Sequence, residues 1–157
     1  MACCSMERSS LRQITMEGLG LLALRLFIAY EFFEAGVEKL RGENWFGSIA
    51  ESFPFPFNQL PADLNWILAM GAELILPVLL VLGLLTRFSV LALMILTAVA
   101  WYAVHSGAGY NVCSNGYKMA LIYLIAMFPL LMQGAGLFSL DFLLKKKGTT
   151  RRWSKFL

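Results

Sequence analysis

A bundle of four transmembrane α-helices is the fold this sequence predicts, and three observations predict it. The first is a set of four long apolar stretches, at about 15–35, 64–85, 88–104 and 119–138. Each comes close to the ~20 helical residues needed to cross a hydrocarbon core about 30 Å thick. The second is composition: 59% of the chain is hydrophobic, 15% is charged, and the mean hydropathy is +0.67. A soluble domain runs at about 45–50% apolar and about 25% charged. The third is where the cations fall. Nine of the thirteen Lys and Arg lie on one side of a four-span arrangement: Arg8, Arg12, Arg87, Lys145, Lys146, Lys147, Arg151, Arg152 and Lys155. Lys39, Arg41 and Lys118 lie on the other. The positive-inside rule then places both termini in the cytoplasm, and residues 1–157 read as one membrane domain with no room for a separate soluble one.

The first stretch, 15–35, competes with a cleavable signal peptide. Arg25 interrupts it, and Glu31, Glu34 and Glu38 follow where a small-residue cleavage site would stand, so it is expected to be a permanent helix. A long outer loop, 36–63, joins it to the second span. In that loop Trp45, Phe46 and Ile49 share one face of a short interfacial helix. The segment Phe53-Pro54-Phe55-Pro56-Phe57 cannot form regular helix or sheet, yet its three Phe demand an apolar surface. It either lies over the outer mouth of the bundle or anchors in the headgroup region. Around Thr86-Arg87 the connection is so short that the second and third spans must form an antiparallel hairpin. Trp66, Trp101, Tyr102, Tyr110 and Tyr117 mark the outer helix ends as an aromatic belt. The basic tail, 145–157, carries Trp153 and Phe156 and suits anionic lipid rather than nucleic acid.

Four groups of residues carry candidate chemistry. Arg25 and Glu73 fall at similar depth when counted from the cytoplasmic ends of their spans. A charge at mid-bilayer costs about 2.5–3.5 kcal/mol on the translocon scale, so the two are expected to pair inside the bundle. The pair either fixes helix register or forms the polar floor of a cavity or proton relay. Pro77 frees the carbonyl of Glu73, and Pro129 that of Ile125. Glu31, Glu34 and Glu38, with Lys118 and Lys39 as the available outer partners, form an outer acidic collar or a cation-attracting mouth. His105, Cys113 and Met119 supply imidazole, thiolate and thioether, the ligand types that suit Cu(I), at a spacing that matches no standard metal motif. The three cysteines form no C-x-x-C, so neither a disulfide framework nor dithiol chemistry is expected.

Arg25, Gly36-Val37-Glu38-Lys39-Leu40, Glu73, Leu82-Gly83-Leu84-Leu85-Thr86-Arg87 and Gly136-Leu137-Phe138-Ser139-Leu140-Asp141 together resemble the DoxX family of small four-helix bacterial inner-membrane proteins. The segments 38–45, 53–57 with 60–64, and 105–118 look closer to its HvfX branch, which is associated with copper-binding modified peptides. The resemblance implies a multi-pass inner-membrane accessory or binding protein that acts in maturation, export or use of such a peptide, beside the peptide's biosynthetic enzymes. Copper is then the implied ligand. The alternatives are a membrane subunit of a quinone-coupled sulfur or thiol oxidoreductase, with a quinone as cofactor, and an assembly factor without chemistry of its own. The lipid bilayer is the expected partner in every case, and a homo-oligomer stays open.

Overall fold

The computed structural model describes residues 2–105, 107, 109–114 and 116–146, with side chains described for 15–105, 107, 109–114 and 116–143. Every regular element among the described residues is helical. Helix α1 runs from Ala2 to Arg41, α2 from Ala62 to Leu82, α3 from Thr86 to Ala100, α4 from Lys118 to Gln133 and the short α5 from Leu140 to Lys146. A π-turn, Trp101–His105, extends α3 without a break. α1 packs on α2 and α4, α2 on α3 and α3 on α4, so the four long helices close a ring of contacts. The basic tail from 147 onward lies outside the described residues.

Three of the expected stretches shift at their ends, each for a local reason. α2 stops at Leu82, not 85, because Gly83 takes the left-handed conformation (φ +66°). There the Gly83 N–H donates to the Leu80 carbonyl and the Leu84 N–H to that of Leu79, a Schellman closure. A Cβ at Gly83 would lie 2.5 Å from Ser139 and 2.9 Å from the Arg25 guanidinium, so the turn has neither the torsion nor the space for another residue. α4 stops at Gln133, not 138, because Gly134 and Gly136 (φ +78° and +72°) turn the chain back onto α1. Leu137 and Phe138 merely prolong the hydropathy. The first stretch changes most: 15–35 is the middle of a 40-residue helix that starts at Ala2. α2 and α4 both run through their internal prolines, Pro77 and Pro129.

The face of α1 that meets the other helices repeats every three or four residues: Gly18, Leu21, Arg25, Ile28, Ala29, Phe32 and Gly36 are all buried. Such a stripe faces packed neighbours over residues 18–36. At Gly36 the α1 and α2 backbones come so close that a Cβ would touch Glu73 and Leu74 at 3.0 Å, as small residues permit where helices pack closely. The main core gathers Leu21, Ile28, Phe32, Leu76, Leu80, Val90, Leu93, Met127 and Leu130.

The outside of the ring is unlike that of a soluble protein. Ile75, Phe88, Ile125 and Phe128 point outward, more than half exposed. α2 and the Thr86–His105 helix are long and apolar enough to cross a membrane by length and composition, yet only 33% and 22% of their apolar windows are buried in the protein. A core helix of a soluble domain would bury most of that surface. Polar groups go the other way: Thr86, Ser89 and Thr97 of α3 are buried.

Candidate functional site

The two charges that the sequence places side by side meet α2 at different levels, Arg25 at its C-terminal end and Glu73 at its middle. Arg25 is 1% exposed and donates four hydrogen bonds, all to backbone carbonyls. Nε reaches Leu80 at 2.9 Å, one terminal nitrogen reaches Ala135 at 2.7 Å and Phe138 at 2.8 Å, and the other reaches Val81 at 2.9 Å. Leu80 and Val81 belong to the last turn of α2, where carbonyls lack intrahelical donors and the helix dipole is negative. Ala135 and Phe138 belong to the turn that follows α4. Arg25 is thus a side-chain cap, supplied by a third helix, for the ends of two others. The carboxylate whose charge acts on it is Asp141, which also accepts the Leu85 N–H at 3.3 Å and so holds the start of α3.

Glu73 pairs with Lys39 instead. Nζ lies 2.9 Å from Oε1 and 2.7 Å from Oε2, with the carboxylate side chain 5% exposed and the lysine 18%. Glu73 and the Arg25-bound carbonyl of Leu80 are seven residues apart, about 10.5 Å along the helix. The expected Arg25–Glu73 pair is therefore corrected. Depth counted from residue 15 placed Arg25 too far in, because α1 is unbroken from Ala2 and its side chains lean toward the N-terminus.

The Lys39–Glu73 pair lines a cavity of about 580 Å³ between α2, α3 and the 42–61 loop. Its walls are apolar, drawn from Leu68, Ala69 and Ala72 on α2 and from Ala92, Ile95, Leu96 and Val99 on α3. The loop covers it with rings. Phe46, Phe53 and Trp66 form a second buried cluster, with Phe46 edge-on to Trp66 at 5.0 Å and 5.2 Å from Phe53. Phe46 opens a 3₁₀ segment, Phe46–Ser52, and Phe53 follows it directly. Of the three Phe around the two prolines, Phe53 is buried, Phe57 half-buried and Phe55 exposed. Trp66 lies in the cluster rather than in a peripheral belt. Asn65 also lines the cavity: its amide donates to the Phe57 carbonyl at 2.8 Å, and its buried Oδ1 accepts no hydrogen bond among the described residues.

The other predicted residues scatter. Glu31 accepts a 2.5 Å hydrogen bond from the Tyr123 hydroxyl, whose ring packs on Phe32. Glu34 and Glu38 are exposed, and Lys118 sits 5.6 Å over the Tyr110 ring rather than against the acidic residues. His105 is half-buried on the cavity wall. Cys113 is exposed in the short turn Val112–Ser114, and Met119 is exposed in the first turn of α4. No cluster of three or more His, Cys, Asp or Glu side chains able to hold a metal occurs among the described residues.

The sequence offers Lys39 as a partner for the outer glutamates rather than for Glu73 and gives Asp141 no role, and Asn65 is missed altogether. Lys39 had a signal: it follows Arg25 by fourteen residues, four helical turns, and so shares its face. Asn65 had one too, as a lone amide at the opening of an apolar run. Asp141 is marked only as the last residue of the 136–141 stretch that carries the family resemblance.

An apolar helical ring with inward polar groups and a roofed apolar cavity defines a protein of membrane type. The family model for DoxX matches residues 20–106, more than half of the chain. This chain belongs to the DoxX family. It is also similar to a protein of Haemophilus influenzae described as uncharacterized, 56% identical over 151 residues that cover 94% of this chain and all of that protein. No solved structure matches.

Proposed function

We propose that this chain is a four-span protein of the bacterial inner membrane, with both termini cytoplasmic, whose roofed cavity binds an amphipathic small molecule from the periplasmic side. The cavity carries the reading. Its volume falls within the ~300–1,000 Å³ of small-molecule sites, and it combines apolar walls with a few polar groups, as such sites do. The membrane placement draws on the outward apolar surface of α2 and α3 and on the cation distribution. Arg87 stands at the hairpin end, where it donates to the Met132 carbonyl at 3.0 Å, while the cavity and its Phe-Pro roof stand at the opposite end. The role is that of a binding or accessory protein. A metal site built from His105, Cys113 and Met119 lacks support, since the three lie in different settings.

The test is quenching of Trp45 and Trp66 by a dibrominated long-chain alcohol, with the protein in lipid nanodiscs. The expected result is a saturable component above the bilayer background that weakens at least tenfold in Ala72→Phe, where the new ring fills the cavity beside Glu73. A signal without a saturable component, or one indifferent to that substitution, overturns the reading. Turnover of a quinone by the purified protein would instead favour an oxidoreductase subunit.

A further inference from the structure

Along α2 the cavity is polar at each end and apolar between, and His105 adds an imidazole to its α3 wall. At the loop end is Asn65, 6% exposed, whose amide nitrogen is committed to the Phe57 carbonyl and whose Oδ1 remains a buried acceptor without a donor among the described residues. At the deep end is Glu73, 4% exposed, with Lys39. A carboxylate offers about four lone-pair sites and an ammonium three donors, so this end still accepts and donates after the ion pair has formed. Asn65 and Glu73 are eight residues apart, about 12 Å along α2. Asn65, Leu68, Ala69, Ala72 and Glu73 all line the cavity, and their spacing i, i+3, i+4, i+7, i+8 is one continuous helix face.

From this geometry we infer that the cavity selects an elongated, uncharged molecule with a hydrogen-bond donor at each end and an apolar middle. One donor goes to Asn65 Oδ1, and the other to the Glu73 carboxylate beside Lys39. A buried acceptor without a donor costs about 1–3 kcal/mol, so the Asn65 end discriminates against a molecule that brings only carbon to it, while the Glu73 end, already paired with Lys39, offers a charge-assisted acceptor. Net charge is disfavoured, because the deep end is already neutral as a pair and a further ion would have to be desolvated. An ordinary single-headed lipid satisfies one end only. The inference rests on the cavity being a binding site at all, and the experiment separates the two claims.

The probes are octane-1,8-diol and octan-1-ol, each competing with the brominated alcohol for the saturable quench in nanodiscs. The quantity read is the ratio of their apparent affinities, compared between the wild type and its variants so that bilayer partitioning cancels. The diol-to-alcohol ratio is expected to fall about tenfold in Asn65→Leu, and likewise in the double variant Lys39→Met/Glu73→Leu. That variant removes the deep end without stranding a charge and gives an independent reading should the first fold poorly. The affinity of the brominated alcohol is measured in each variant, so that the ratio is corrected for any change in it. A ratio equal in wild type and variants overturns two-ended recognition while leaving the cavity as a site. Loss of all saturable quenching in the wild type overturns both.

Discussion

Arg25→Met is expected to lower the stability of the protein in nanodiscs by about 4 kcal/mol, counting about 1 kcal/mol for each of the four hydrogen bonds lost. The substitution keeps the length and apolar stem of the side chain but removes the four hydrogen bonds by which Arg25 ties α1 to the end of α2 and to the 134–139 turn. Arg25→Lys should recover only part of the loss. An ammonium is a point charge, whereas the planar guanidinium addresses Leu80, Val81, Ala135 and Phe138 at once. Thermal unfolding followed by tryptophan fluorescence reads the difference. A melting temperature unchanged in Arg25→Met would remove Arg25 from its capping role.

Separating Lys39 from Glu73 should produce the second large effect, and an asymmetric one. Lys39→Met leaves a carboxylate that is almost wholly buried, and breaking a buried pair in this way costs about 3–5 kcal/mol. Glu73→Leu should be milder, since the less buried Lys39 can swing its ammonium outward along its stem. The double variant should return most of the loss, giving a coupling of about 2 kcal/mol or more in a double-mutant cycle. Additive single effects would mean that the two side chains do not act on each other.

These two experiments also mark how far the sequence can be read. The helical class, the α2–α3 hairpin, the aromatic loop and the burial of Arg25 and Glu73 all follow from hydropathy, turn residues and the cost of charge in an apolar run. The partners do not. Arg25 and Lys39 lie four turns apart on one face of α1, so both were available to Glu73, and only the axial offset of α1 against α2 decides between them. That offset is set by close contact at Gly36 and by the 134–139 turn wrapping Gly18 and Leu21. It is tertiary information with no local trace. Arg25's actual partners are backbone carbonyls, which every residue carries, so no residue pattern could announce them. Helix ends failed for a simpler reason. Hydropathy averages through Gly83 and Gly134, whereas the left-handed torsions at those glycines stop the helices at once. The cavity was legible only as a demand, since three Phe between prolines need something apolar to cover.

The most direct test of the account is a crystal structure of the full chain grown from a lipidic mesophase. Arg25 is expected among the carbonyls of Leu80, Val81, Ala135 and Phe138, and Lys39 against Glu73, with elongated density running beneath Phe46 and Phe53 from Asn65 to that ion pair. Arg25 bonded to Glu73, with side chains collapsed into the space between α2 and α3, would contradict it.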